Sequence, residues 1–241
     1  MLSVAGKRAV VTGASGGVGL ACARGFLVHG ARGLLLIDMN ASELTKTSEN
    51  LKKEFPDREI IALVANVAVQ SEVKVAATYA KQSFRPINLV LACPWPGAEL
   101  TEGNVSKCGA WQSLIDLNLN AARYTSVIFG DMLDEHGSII LISNGIAHAN
   151  VELLHPAYGA AKMGLQSLKA CLAMRYSDKN IRVNSVAPRY IQTPKTLPSY
   201  YTPKPLFSQF AHPDELVPTV LHLANNSSST ITSIDFVVTP T

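Results

Sequence analysis

Short apolar runs alternate with segments of helical period along almost the whole chain, and this alternation restricts the possible folds more than any other feature. The runs are β-branched and apolar on both faces, as strands buried inside a parallel sheet are. Parallel neighbours need a crossover connection, so the pattern predicts right-handed βαβ units. We therefore expect an α/β fold with a doubly wound parallel sheet of about seven strands and helices on both faces.

The predicted elements follow from where these runs begin and end. The strands are predicted over 8–11, 33–37, 59–64, 88–92, 138–142, 181–186 and 234–238. The helices are predicted over 18–29, 41–55, 71–84, 110–133, 158–177 and 213–224. No repeat or linker interrupts the series, so residues 1–241 are predicted to form a single domain.

Composition and charge favour some classes of protein over others. A chain of 241 residues with 47% hydrophobic and 16% charged residues is typical of a globular protein. The net charge of +3 with no basic run gives no support for binding nucleic acid or a membrane surface. The four scattered cysteines form no metal-ligand spacing, so we expect no metal site. Without a signal peptide or membrane span, we expect a cytoplasmic protein.

A glycine-rich turn follows the first predicted strand. Residues 10–19 read Val-Val-Thr-Gly-Ala-Ser-Gly-Gly-Val-Gly, with Gly13, Gly17 and Gly19 ahead of a helix. Such a turn lets the backbone approach a pyrophosphate and directs a helix N-terminus at its charge. The alternative is an ordinary surface turn that uses glycine for its positive φ. Its place after the first strand favours a dinucleotide site.

Asp38 ends the second predicted strand, roughly 20 residues beyond the glycine turn. A carboxylate there can accept hydrogen bonds from the adenosine ribose hydroxyls, whereas a 2′-phosphate would meet a like charge. Because Met39 and Asn40 follow, no adjacent arginine compensates, and the sequence favours NAD over NADP. The alternative role for Asp38 is to cap the next helix, for which Ser42 is better placed.

Tyr158 and Lys162 lie four residues apart on a strongly periodic helix and so share one face. An ammonium beside a phenol favours the phenolate, which suits a general acid/base near neutral pH. The same spacing recurs at Tyr200 and Lys204, but the flanking prolines argue against a helix there.

These motifs together resemble those of the short-chain dehydrogenases/reductases. The glycine turn, Asn118 within Asp-Leu-Asn-Leu, the Tyr158/Lys162 pair and the run 181–188 (Ile-Arg-Val-Asn-Ser-Val-Ala-Pro) occur in the order and spacing of that family. The resemblance covers essentially the whole chain. It implies a Rossmann-type domain, a nicotinamide cofactor, a small-molecule substrate, and a homodimer or homotetramer built on the long helices.

The resemblance also implies roles for individual residues. Tyr158 would exchange a proton with the substrate oxygen, Lys162 would hold the nicotinamide ribose, and Asn118 would anchor a proton-relaying water. Thr193 would contact the nicotinamide carboxamide. The remaining residues expected to contact the cofactor are Gly13, Ser15, Gly17, Val18, Gly19, Asp38, Asn66 and Val67.

The chain departs from the family pattern mainly around the substrate. The position of the family's catalytic serine holds Asn144, and Ser143 precedes it with its side chain expected on the other face of the strand. Asn144 offers an amide donor in place of the hydroxyl. Trp95 stands at a glycine position after the fourth strand, and Arg189 replaces the glycine after Pro188. We expect Trp95 and Arg189 to contact the substrate. The alternatives are that Trp95 reshapes the wall beside the adenosine and ribose, and, equally, that Arg189 faces solvent.

A proline- and tyrosine-containing segment at about 188–213 follows the carboxyl end of a strand. Ligands bind at that edge of such sheets, so the segment is predicted to cover the substrate, with a proline-stiffened surface loop as the alternative. The sequence as a whole predicts an NAD(H)-dependent oxidoreductase that interconverts a carbonyl and an alcohol on a small or medium organic substrate. Two alternatives stay open: an enzyme of the same fold with non-redox chemistry (a cyclase, dehydratase or epimerase), and a non-catalytic dinucleotide-binding protein.

Overall fold

The computed structural model describes residues 2–93, 108–145, 156–189, 191–192 and 210–239. Its strands are β1 (Arg8–Thr12), β2 (Gly33–Asp38), β3 (Glu59–Val64), β4 (Ile87–Ala92), β5 (Leu133–Ile142), β6 (Arg182–Pro188) and β7 (Asp235–Val238). Its α-helices are α1 (Gly17–Val28), α2 (Ala41–Glu54), α3 (Gln70–Ser83), α4 (Cys108–Ile115), α5 (Ala121–Gly130), α6 (Pro156–Arg175) and α7 (Val217–Ala224). None of the helices in these ranges is long and apolar enough to cross a membrane.

The seven strands form one parallel sheet in the order β3-β2-β1-β4-β5-β6-β7. The predicted doubly wound Rossmann-type fold is therefore confirmed. The strand order reverses between β1 and β4, which opens a crevice at the carboxyl edge of the sheet. The turn after β1 and the ends of β4 and β5 meet at this edge.

Alternate residues of each strand pack into two separate hydrophobic layers. In β1, Val11 joins the layer that contains Phe26 of α1, and Val10 joins the layer that contains Phe129 of α5. Burial on both faces explains why these strands read as continuous apolar runs. The helix α6, which carries Tyr158 and Lys162, packs on the Val10 side through residues such as Leu165.

The helix predicted over 110–133 is confirmed as a helical run without a break over 108–130, and its predicted carboxyl end is wrong. The structure has α4, then a π-helical turn over Asp116–Asn120, then α5, which ends at Gly130. Leu133 already belongs to β5, where it pairs with Ile87 of β4. At the carboxyl end of the predicted helix, pairing of β5 with β4 therefore overrides the local helical period.

Candidate active site

The glycine turn between β1 and α1 needs glycine at two positions. Gly13 has a φ of +65°, a conformation that other residues rarely adopt. A Cβ on Gly19 would lie 2.1 Å from the carbonyl oxygen of Gly13, so α1 can approach the turn this closely only with glycine there. Gly16 caps α1 without a side-chain hydrogen bond, which leaves first-turn amides of the helix for an anionic ligand.

Asp38 lies directly beside this turn. Its Oδ2 accepts a hydrogen bond from the Ser15 amide at 3.1 Å, and its Oδ1 accepts one from the Asn40 amide at 3.0 Å. The cap of α2 is Asn40, whose Oδ1 accepts from the Glu43 amide, so the assignment of this role to Ser42 is wrong. The extended backbone of Asn40 lets its side chain reach the third helical amide, whereas Ser42 is already inside the helix.

Asn66 and Val67 follow β3, next to the end of β2. The Ala65 amide donates to the carbonyl oxygen of Asp38 at 3.0 Å, which ties the two strand ends together. The side-chain oxygen of Asn66 accepts from the Ala68 amide at 3.0 Å and keeps a second lone pair for a further donor. Val67 is buried. A role for Asn66 and Val67 in cofactor binding therefore stays a prediction.

Asn144 and Tyr158 are brought together above the end of β5. The Asn144 Nδ2 donates to the Tyr158 Oη at 3.0 Å. Asn144 lies two residues beyond the last residue of β5, and Tyr158 lies near the start of α6. The asparagine therefore contacts the phenol from the position where the family pattern has a serine.

Lys162 is buried beside the same phenol. Its Nζ lies 5.5 Å from the centroid of the Tyr158 ring and donates to the carbonyl oxygen of Ile142 at 3.3 Å. Burial lowers the pKa of Lys162 from 10.5 to about 8, and Cys93 at the end of β4 opposes that change. An amine with such a pKa carries a positive charge at neutral pH and can exchange a proton just above it.

Cys93 is a neighbour of Lys162 that no sequence pattern predicted. Burial raises the pKa of the Cys93 thiol to about 12, which keeps it neutral, while Lys162 acts in the opposite direction. The Cys93 amide donates to Thr12 Oγ1 at 3.2 Å, fixing the end of β4 against β1. Trp95, two residues further on, lies outside the described residues.

Asn118 occupies the centre of the π-helical turn and is fully buried. Its Nδ2 donates to the carbonyl oxygen of Leu114 at 2.9 Å. Its Oδ1 is buried and accepts no hydrogen bond from any residue in the described ranges. Single π-helical turns are frequent at functional sites, and a buried acceptor of this kind suits an ordered water.

Ser143 lies on the other side of the strand end from Tyr158. Its Oγ donates to the carbonyl oxygen of Lys162 at 3.4 Å and accepts from Gln166 Nε2 at 3.5 Å. Lys169 Nζ in turn donates to Gln166 Oε1 at 2.7 Å. These residues support the strand end beneath Asn144. The one sequence feature that points to this group is the position of Gln166, four residues after Lys162 and therefore on the same face of α6.

Arg189 follows β6 at the same edge of the sheet. Its backbone amide donates to the carbonyl oxygen of Val238 at 3.1 Å, and its side chain packs against Gly145. Its Nε is buried and has no hydrogen-bond partner among the described residues. Thr193 and most of the segment 188–213 lie outside the described residues, so neither expectation is tested.

Most of the chain matches the model of one protein family. The family model for short chain dehydrogenases matches residues 7–200. The chain belongs to the short-chain dehydrogenase/reductase family. It is therefore an oxidoreductase of that family, as the resemblance implied, and the fold, the glycine turn and the Tyr158/Lys162 pair are all consistent with it.

Several members of the short-chain dehydrogenase/reductase family are similar over most of their length. A sorbose reductase from Candida albicans is 28% identical, with 99% of this chain and 87% of that protein covered. An uncharacterized oxidoreductase from Mycobacterium tuberculosis is 32% identical, with 84% and 80% covered. The crystal structure of L-sorbose reductase from Gluconobacter frateurii, complexed with NADPH and L-sorbose, superposes with a TM-score of 0.87 at 24% identity, with 99% and 97% covered.

Proposed function

We propose that the protein is an NAD(H)-dependent oxidoreductase that interconverts a carbonyl and an alcohol on a small or medium organic substrate, with Tyr158 as general acid/base. The observation that supports this most directly is the contact of Tyr158 Oη with Asn144 Nδ2 beside a buried Lys162. A phenol with an amide donor and a neighbouring cation is suited to reversible proton transfer near neutral pH.

Tyr158 and Asn144 have different roles at the reacting oxygen of the substrate. A bound nicotinamide supplies or accepts the hydride. Tyr158 Oη gives its proton to the carbonyl oxygen during reduction and removes it from the alcohol during oxidation. Asn144 has two amide hydrogens, so Nδ2 can donate one to Tyr158 and the other to the substrate oxygen. Both hydrogen bonds strengthen as negative charge develops on the acceptor.

Proton supply to Tyr158 involves Lys162 and Asn118. The Lys162 ammonium favours the phenolate form of Tyr158 and would hold the ribose of a bound nicotinamide cofactor. Its lowered pKa of about 8 lets it pass a proton onward with little free-energy cost. The buried Oδ1 of Asn118 is an acceptor for the water that would connect this relay to solvent.

The proposed preference for NAD depends on Asp38. Its two carboxylate oxygens each accept one backbone hydrogen bond and have lone pairs left for ribose hydroxyls. Within the described ranges, no lysine or arginine forms an ion pair with Asp38 that would attract a 2′-phosphate. Two similar proteins, each 24% identical to this chain, use the other cofactor. The L-sorbose reductase of Gluconobacter frateurii is complexed with NADPH, and a 3-quinuclidinone reductase from Rhodotorula rubra is NADPH-dependent.

The same proposal includes a homodimer or homotetramer built on the long helices. Large apolar side chains are exposed along α4 and α6: Trp111 is 47% exposed, Met163 44% and Met174 79%. Burying such residues between two copies of the chain is favourable at about 25 cal/mol per Å² of apolar surface.

Replacing Tyr158 with phenylalanine tests the proposed reaction. We expect kcat/KM for ketone reduction, followed by NADH absorbance, to fall by about 10²- to 10⁴-fold, the usual contribution of a general acid. The affinity for NADH, measured by its fluorescence, should stay within a few fold of wild type. Undiminished turnover in Tyr158→Phe would contradict the role of Tyr158.

Two controls accompany this experiment. Tyr79→Phe removes a hydroxyl from a half-exposed tyrosine on α3, far along the chain from the site, and should leave kcat/KM at the wild-type value. Product analysis on the same samples separates redox from non-redox chemistry. Consumption of substrate without an equal change in NADH would favour the non-redox alternative.

A further inference from the structure

The guanidinium of Arg189 lacks the carboxylate partner that four other arginines of this protein have. Arg8, Arg24, Arg85 and Arg175 each pair with a carboxylate at 2.5–3.3 Å. Arg189 forms no such pair within the described residues, and its Nε is shielded from solvent without a hydrogen-bond acceptor. A buried donor without an acceptor is unfavourable, and more so when the group is charged. Such a group is a natural partner for an anionic ligand.

The position of Arg189 places this cation at the proposed site. The backbone of Arg189 continues β6 past the carboxyl edge of the sheet, where ligands bind in folds of this type. A Cβ on Gly145 would lie 2.9 Å from Arg189 Cγ, so the arginine stem occupies space that only a glycine leaves open. Gly145 directly follows Asn144, whose amide contacts Tyr158. The stem of Arg189 therefore lies beside the residue that follows Asn144.

The chemistry of the donor defines the class of ligand. The two terminal nitrogens of a guanidinium present parallel N–H groups that match the two oxygens of a carboxylate. We infer that the substrate carries a carboxylate that binds Arg189, while its carbonyl or hydroxyl oxygen binds Asn144 and Tyr158. This inference rests on the proposed function and narrows its substrate class to oxo acids and hydroxy acids.

The proposed reduction adds one hydride and one proton to the oxo acid. In reduction, Tyr158 Oη would give its proton to the carbonyl oxygen of the oxo acid, and bound NADH would supply the hydride that the carbonyl carbon accepts. The products are the hydroxy acid and NAD, and Tyr158 regains its proton from solvent. The carboxylate takes no part in bond making. It fixes one end of the substrate so that the carbonyl carbon faces the nicotinamide.

Matched acids and esters test this inference. The probes are four methyl-ketone acids, from 2-oxopropanoate to 5-oxohexanoate, and their methyl esters, which differ from the acids in charge. A paired carboxylate is expected to give one acid a kcat/KM about 10- to 100-fold above that of its ester, since a hydrogen bond to a charged group contributes about 1.5–3 kcal/mol. In Arg189→Gln the acid-to-ester ratio should fall towards one, and Arg189→Lys should keep part of it. Arg32→Gln, an exposed arginine, is the matched control and should keep the wild-type ratio.

Binding measurements keep this test independent of turnover. Calorimetric titration of the same acids into Tyr158→Phe, saturated with NAD, reports carboxylate binding in a protein that is not expected to react. Binding in Tyr158→Phe that is lost in the Tyr158→Phe, Arg189→Gln double variant supports the inference even if the proposed reaction is wrong. An acid-to-ester ratio near one in wild type with no acid bound, or a ratio unaffected by Arg189→Gln, would overturn it.

Discussion

Replacing Asn144 with aspartate removes the amide hydrogens while keeping the size and shape of the side chain. In the structure, Nδ2 of Asn144 donates to Tyr158 Oη at 3.0 Å. The carboxylate of the variant can only accept a hydrogen bond, so it favours the neutral phenol and repels the phenolate. The substitution therefore reverses the electrostatic effect of this contact on the proton transfer.

The expected magnitude follows from that contact. A hydrogen bond to a charged acceptor contributes about 1.5–3 kcal/mol, which corresponds to about 10- to 150-fold in rate. Two like charges at this separation repel by a further 1 kcal/mol or so even at the dielectric constant of water. We therefore expect kcat/KM to fall about 10- to 100-fold in Asn144→Ala and by about 100-fold or more in Asn144→Asp.

The assay is NADH-linked turnover across a range of pH, with NADH affinity and melting temperature measured on the same samples. Activity of Asn144→Asp should recover partly as the pH falls, because a protonated carboxyl regains a donor. Asn50→Asp on the exposed side of α2 introduces the same charge away from the site and should behave as wild type. Equal kcat/KM in wild type and Asn144→Asp would refute the argument that the amide hydrogens act on Tyr158.

Two further predictions concern the cofactor site and Lys162. Wild type should bind NADH at least about 30-fold more tightly than NADPH, since a doubly charged phosphate near Asp38 costs about 2 kcal/mol of binding free energy. Fluorescence titrations should show a smaller ratio of the two affinities in Asp38→Asn. Tighter binding of NADPH than of NADH by wild type would contradict the reasoning. Burial lowers the pKa of Lys162 from 10.5 to about 8, so between these pH values the unfolded chain binds more protons than the folded protein does. At neutral pH the buried lysine therefore lowers the free energy of unfolding of the cofactor-free protein by about 3 kcal/mol. Lys162→Met should therefore melt at a higher temperature than wild type below pH 8, and the difference should shrink as the pH rises towards 10.5; a difference independent of pH would show that the ammonium is not the cause.

Sequence patterns predicted the sheet well because each strand is buried on both faces. Glu59–Val64 was predicted with both boundaries correct, and the other strands differ at their ends. The helix over 110–133 was predicted to run three residues beyond Gly130, where β5 begins early at Leu133, and the π-helical turn around Asn118 inside the helix was not expected. Pairing of Leu133 with Ile87 is a long-range contact, and local periodicity carries no information about it.

Within the candidate site, the sequence by itself determined which residue types were available and where along the chain they lie. The glycines, Asp38 and the Tyr158/Lys162 spacing are local features, because a tight turn, a strand end and a helix face are set by neighbouring residues. Contacts across elements were decided only by the tertiary structure. Strand alternation had already predicted that Asn144 and not Ser143 faces the site, but only the tertiary structure showed the hydrogen bond of Asn144 to Tyr158 and the position of Cys93 near Lys162. Strand register and helix packing fix such contacts, and both depend on residues far apart in sequence.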